Sequence, residues 1–201
     1  MPIRLNGSTS GFTELSAPPV AGSNTLVLPT GNGSNGQVLT TNGSGVLSFA
    51  TNGKLIQTVS DATNAVATGT TTIPLDDTIP QITEGNEYIT RAITPTSASN
   101  LLCIQATIHL SSTAGVSNLT AALFQDSTAN ALAVVTRYMT NGNLNTLNLT
   151  HWMTAGTTSA TTFRIRAGSS AAGTTTSNGV SGARLFGGAC ISNLLIMEVT
   201  P

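Results

Sequence analysis

Asn100-Leu101-Leu102-Cys103-Ile104-Gln105-Ala106-Thr107-Ile108-His109-Leu110 decides the fold. Successive side chains of a strand point to opposite faces, so Leu102, Ile104, Ala106, Ile108 and Leu110 make one apolar face. Thr161-Thr162-Phe163-Arg164-Ile165-Arg166-Ala167 repeats the pattern, sending Phe163, Ile165 and Ala167 inward and both arginines outward. Further strands are predicted over 55–60, 86–93, 118–125, 131–139, 144–153, 183–191 and 193–199, about nine in the last 148 or so residues. Gly, Asn, Ser and Pro punctuate them at the intervals of a sandwich or barrel. Thr174 to Gly179 reads as an exposed turn. Helix formers gather at 61–67 and 127–133, but the first suffices for one turn and Val134-Val135-Thr136 after the second favours a strand.

The first 53 residues differ. No charged residue lies between Glu14 and Lys54, and Asn-Gly pairs recur at 32–33, 35–36, 42–43 and 52–53. Asn-Gly between apolar residues marks a tight hairpin, because both residues accept the positive φ of a type I′ turn. Residues 24–53 therefore read as a meander of short strands: 25–28, 37–40 and 46–50. Residues 1–23, with Pro18-Pro19 and few apolar side chains, read as an extended arm that must lie on something else. The expected organisation is 1–53, arm and meander, and 54–201, an antiparallel, jelly-roll-like β-sandwich; the fold class is all-β.

Composition narrows the function. Thr (35), Ser (20), Asn (17) and Gly (20) fill 92 of 201 positions, while only 7% of residues are charged, against roughly 25% in ordinary domains. Mean hydropathy is +0.18, which argues against disorder, and the low Glu and Lys content argues against a coiled coil. With a net charge of −1 there is no basic field for nucleic acid. No apolar run reaches the about 18 residues of a spanning helix, so membrane insertion is not expected, and the start lacks the apolar core of a secretory signal. The chain is expected to be made in a cytoplasm and to stay there, or to leave by another route such as lysis. Solubility normally rests on mixed surface charge, so so few charges point to a surface held in an assembly or coated with hydroxyls and amides.

The residues offer little chemistry. Cys103 and Cys190 each sit in an apolar run and read as buried free thiols, in preference to a disulfide. A Ser-His-Asp site needs three groups brought together, yet Gly-x-Ser-x-Gly is absent and His109 lies on the face opposite Ile108 and Leu110. His151 and Trp152 point to opposite faces. Trp152, the only tryptophan, is expected in the core, the alternative being an outward ring that stacks on a sugar. Asp76, Asp77, Glu84 and Glu87 read as turn caps and as partners for Arg91 or Arg184, since nothing around them suggests a glycoside cleft or a calcium loop. No Cys/His spacing suits zinc and no glycine-rich stretch suits a phosphate loop. No catalytic residue, cofactor or metal is expected.

The stretch Gly7-Ser8-Thr9-Ser10-Gly11-Phe12-Thr13-Glu14-Leu15-Ser16-Ala17-Pro18-Pro19-Val20-Ala21-Gly22-Ser23-Asn24-Thr25-Leu26-Val27-Leu28-Pro29 resembles a segment of tailed-bacteriophage virion proteins, usually tail-fibre-like ones. Residues 36–50 are similar to the linker-like repeat that often follows. Thr78–Gly85, Leu123–Asp126, Thr162–Gly168, Arg184–Ala189 and Ser192–Glu198 are similar to a module that closes many phage tail proteins. The resemblance implies a non-enzymatic, homotrimeric virion protein. Its docking arm would use Gly7, Phe12, Leu15, Pro18, Pro19, Val20, Leu26 and Leu28 against other virion proteins, of the tail or baseplate or the major capsid protein. Its sandwich would meet the host, through a surface glycan, with Trp152, Thr174, Thr175 and Asn178 as candidate contacts. The alternatives are a capsid decoration protein, which the shortness of the chain favours, and more remotely a particle-bound polysaccharide-degrading enzyme.

Overall fold

The computed structural model describes every residue except Met1, Pro2, Gly7, Ala17, Ala21, Asn24, Asn52 and Asn141. The chain divides into two compact units, Met1–Asn52 and Gly53–Pro201.

In the first unit, β1 (Ile3–Asn6) and β2 (Phe12–Leu15) form an antiparallel hairpin where the sequence suggested only an extended arm. Its cross-strand chemistry explains the difference. Arg4 and Glu14 are register partners, joined by Nη2–Oε2 and Nε–Oε2 contacts of 2.9 and 3.1 Å, and the Arg4 guanidinium lies 4.1 Å from the Phe12 ring centroid; such pairs stabilise a ladder. β3 (Gln37–Thr41) and β4 (Leu47–Thr51) form a second hairpin. The connection is five residues, 42–46, and not the tight two-residue turn that Asn42-Gly43 suggests. Asn42 Oδ1 accepts the Ser44 and Val46 N–H groups at 2.9 and 3.2 Å. Gly45 is obligatory there: its φ is +86°, and a Cβ would meet the Thr25 carbonyl oxygen at 2.1 Å. The strand expected at 25–28 shrinks to a single parallel bridge, Val27 to Val46, because Pro29 has no N–H to continue a ladder.

The second unit is a β-sandwich. Its strands are β5 (Leu55–Thr63), β6 (Ala67–Gly69), β7 (Asn86–Ile93), β8 (Leu101–Ser112), β9 (Ser117–Gln125), β10 (Ala133–Met139), β11 (Asn145–Thr154), β12 (Thr161–Ser169), β13 (Thr175–Ser177), β14 (Gly179–Val180), β15 (Ala183–Arg184) and β16 (Ser192–Val199). One sheet has the order β10-β9-β12-β7; the other runs β5-β16-β8-β13-β6, with β11 also on β8, and all pairings are antiparallel. No α-helix occurs among the described residues.

The expected apolar face of β8 is buried throughout. It packs with Leu119, Ala121 and Leu123 of β9, Phe163, Ile165 and Ala167 of β12, Leu147 and Leu149 of β11, and Leu194 and Ile196 of β16. Each large side chain fully removed from water contributes about 1.5–3 kcal/mol, so this two-sided layer stabilises the sandwich. A smaller cluster, Ile73, Ala122 and Phe124, lies against Ile82 and Ala131. Three edge strands carry a charge on the core-facing side: Asp61 of β5 is in register with Leu194, Arg91 of β7 with Phe163, and Arg137 of β10 with Leu119.

Two sequence expectations change here. The strand predicted over 183–191 is only β15 followed by a 3-10 turn, Phe186–Gly188, because Phe186, Gly187 and Gly188 all take positive φ, +49°, +62° and +94°, which glycine permits and a strand does not contain. The exposed turn expected at 174–179 is instead the buried strand β13, paired with both β6 and β8. Three residues are too few to display a period, and their Thr and Ser content suggested solvent.

Candidate interaction surfaces

Alternation along β8 puts Leu102 to Leu110 in the core, so Cys103, Gln105, Thr107 and His109 face outward. The registers of the neighbouring strands extend this outer face into rows. Trp152, Cys103, Met197 and Thr58 form one row, then Thr150, Gln105, Leu195 and Ser60, then Asn148, Thr107, Asn193 and Ala62. None of these positions is Asp, Glu, Lys or Arg. Thr107 Oγ1 donates to Asn148 Oδ1 at 2.8 Å, and His109 Nδ1 lies 2.8 Å from Thr146 Oγ1. Trp152 is 55% exposed, which corrects the expectation that it fills the core: His151 is in register with the core residue Ile104, and its neighbour must therefore point away. Cys103, flanked in register by Trp152 and Met197, is buried, as is Cys190, and both are free thiols. Burial pushes both thiols up from their ordinary pKa, away from the nucleophilic thiolate.

Two of the candidate host contacts are not on a surface. Thr175 is buried in β13, with its carbonyl accepting the Tyr88 hydroxyl at 3.0 Å; burial raises that phenol to about 12. Asn178 is wholly buried with φ +58°. Its Nδ2 donates to the Thr63 and Ala65 carbonyls at 2.9 and 3.0 Å, and its Oδ1 accepts the Ser192 hydroxyl at 2.7 Å. A short amide that tolerates the left-handed region and satisfies two loop carbonyls and the buried Ser192 hydroxyl is a structural plug. Thr174 is half-buried.

Asp76, Glu84, Glu87 and Glu198 are occupied by local structure. Asp76 accepts the Thr78 hydroxyl and N–H at 2.6 and 2.8 Å, which hold its pKa below the usual value. Glu84 caps the Gln81 N–H at 2.9 Å. Glu87 approaches Arg164 at 3.3 Å and Arg166 at 4.0 Å, and not Arg91 or Arg184 as expected, because β7 and β12 place these three on one outward face. Glu198 is buried without a cation. Oε1 accepts Asn100 Nδ2 (2.6 Å), Thr96 N–H and Oγ1 (2.8 Å each) and Ser97 N–H (3.4 Å), and Oε2 accepts Gln57 Nε2 (2.6 Å). Burial by itself would raise this carboxyl; the bonds from Asn100, Gln57 and Thr96 outweigh it and hold the pKa at about 2. Nothing in the sequence marks the Glu198 site, since its donors come from positions 57, 96, 97 and 100. Among the described residues no three His, Cys, Asp or Glu side chains group as metal ligands, and no helix is long and apolar enough to cross a membrane.

In the first unit, Phe12, Leu15, Val20, Leu26 and Leu28 are between 57% and 91% exposed, and Pro18 and Pro19 are open as well. Gly7 lies outside the described residues. Val27, Leu28, Pro29, Val46 and Phe49 line a cleft of about 400 Å³.

Residues 58–201 match the family model described as Pgp3 C-terminal domain. No curated protein matches the chain. Among solved structures, infectious bursal disease virus, Gx strain, is similar at 11% identity and TM-score 0.34, over 98% of this chain and 48% of that one. Dimeric latent PorU from Porphyromonas gingivalis is similar at 11% identity and TM-score 0.33, over 73% of this chain and 13% of that one. The enzymatically active domain of bacteriophage CBA120 tailspike protein 4 is similar at 16% identity and TM-score 0.27, over 63% of this chain and 20% of that one. The chain thus spans about half the length of the first of these and less of the others.

Proposed function

The chain belongs to the Pgp3 C-terminal domain family, and we propose that it is a non-enzymatic structural protein of a tailed-phage virion. In this reading it is a tail-fibre-like homotrimer, fastened to other virion proteins by residues 1–53 and presenting residues 54–201 to the host surface. The observation that carries the reading is the apolar surface of the first unit: Ile3, Leu5, Phe12, Leu15, Val20, Leu26 and Leu28 all stand exposed. An isolated two-stranded hairpin is marginal in water, and register places Ile3, Leu5 and Leu15 together on one open face of it; an exposed apolar patch marks an interaction site. A covering partner meets both needs.

Association between copies is supported by the uncharged outer face around β8. Depletion of charge with an exposed aromatic is the composition of an interface core, and Trp152, on the bordering strand β11, supplies the aromatic. A role in surfaces and not in turnover is supported by Asp76, Glu84, Glu87, Glu198 and His109, whose side chains serve caps, ion pairs, a buried network and a ladder contact. Trp152 then serves neighbouring copies, and the half-open segment 170–174 is left for a host glycan, with several copies supplying avidity.

Deleting residues 1–53 tests the assignment. The remaining 54–201 should stay folded and soluble yet be missing from purified particles grown with it as the sole copy; incorporation at the full-length level would overturn the docking role.

A further inference from the structure

The 3-10 turn between β15 and β16 holds an aromatic ring out in water. Phe186 is 75% exposed and sits at φ +49°, a conformation that is costly for a bulky residue and that persists only when its surroundings impose it. The turn is anchored behind the ring: Gly188 N–H donates to the Leu185 carbonyl and Ala189 N–H to the Phe186 carbonyl, both at 3.0 Å, and Asn64 Nδ2 holds the Gly188 carbonyl at 3.1 Å. Arg184 lies against the same turn, its Nη1 3.4 Å from where a Cβ on Gly188 would stand. Among the described residues Arg184 has no carboxylate partner. The result is a rigid knob with an aromatic tip and one unpaired cation.

A matching groove lies elsewhere on the sandwich. The segment before β7 stands off β9 and β10 and leaves a groove of about 500 Å³, with Leu75, Ile79 and Val134 on its walls. All three are substantially exposed, and Pro74 and Pro80 stiffen the segment that carries two of them. Asp76 and Asp77 stand at its lip; Asp76 is fixed by Thr78, and neither has an ion-pair partner among the described residues. The groove is in the size range that takes one large side chain or small ligand, is aliphatic, and carries two negative charges where the knob carries one positive.

We propose that the groove receives the Phe186 knob of a second copy of this chain, with Arg184 of that copy meeting Asp76 and Asp77. Ring, aliphatic walls and opposite charges make the two patches complementary, and an aromatic next to an arginine is the composition of an interface hot spot. The patches are different parts of one chain, so the contact is head-to-tail and closes into a ring when the rotation between copies allows. This rests on the self-association proposed above and adds a second contact to the sheet face.

Sedimentation equilibrium of the full chain over a concentration series tests it. Phe186→Ala and Arg184→Glu should each weaken association by about tenfold or more, as should Asp76→Arg with Asp77→Arg. Combining Arg184→Glu with the two Asp→Arg changes should restore it, since the charges are then exchanged. Association unchanged in the single variants, or not recovered in the combined one, overturns the proposal. Trp152→Ala reads the sheet face separately. If Trp152→Ala weakens association and the Phe186 and Arg184 variants do not, the groove is refuted and the sheet face stands; the reverse refutes the sheet face alone. Wild-type chain that remains a single subunit throughout the series overturns both.

Discussion

Asn100 donates through Nδ2 to Glu198 Oε1 at 2.6 Å, tying the residue before β8 to the penultimate residue of β16. The carboxylate collects five donors and no cation, so its charge is stabilised by dipoles alone. Removing that charge leaves donors facing an amide. Glu198→Gln should destabilise the second unit by about 2 kcal/mol, measured by urea unfolding at pH 7.

The same group sets an acid limit. Its folded pKa of about 2 lies below the ordinary 4.5, so the unfolded state binds the proton first as pH falls. The stability it contributes is complete above pH 4.5, declines between there and about 2, and is absent below. Wild type should lose stability relative to Glu198→Gln across that window, and parallel curves for the two proteins would refute the assignment.

Asn178 serves as a plug and not as a contact. Asn178→Ala strands the Thr63 and Ala65 carbonyls and the Ser192 hydroxyl and places a Cβ-bearing apolar residue at φ +58°. A loss of about 2–4 kcal/mol is expected in urea unfolding. A change of less than about 0.5 kcal/mol would show the network to be dispensable.

Trp152 is the single tryptophan and reports on its own environment. Its emission should shift to shorter wavelength as the concentration rises and copies associate, while Trp152→Ala leaves the thermal stability of the dilute single subunit little changed, because the ring is 55% exposed there, and lowers it at concentrations where copies associate. Emission independent of concentration would contradict a copy-to-copy role.

Quantitative mass spectrometry of purified particles separates tail from head. A few tens of copies or fewer are expected per particle, whereas hundreds would assign the chain to the capsid lattice.

The long strands were legible because alternation over seven or more residues is hard to produce otherwise: β8, β9, β11, β12 and β16 fall within two residues of their expected ends, and β7 coincides. What stayed hidden depended on partners distant in the chain. β13 is three residues long, and its burial follows from lying between β6 and β8, which no local pattern encodes. Trp152 was misplaced because hydrophobicity says that a ring should be covered without saying by whom; one subunit does not cover it. The Arg4–Glu14 pair that closes the first hairpin was visible as two isolated charges, yet its meaning required the register. The Phe186 turn was obscured by its apolar neighbours, which look like a strand until Gly187-Gly188 is read as a stop.

The charges set core-side on the outer strands, Asp61, Arg91 and Arg137, have a further consequence. A foreign β-segment adding beside β5, β7 or β10 would have to desolvate an ion, so growth of an unending ladder is penalised at each of those three borders. A molecule this poor in charge and this rich in strands would otherwise be prone to amyloid-like stacking when many nascent chains crowd together. Three well-placed ions out of so few thus act against open-ended strand addition at the borders of the two sheets.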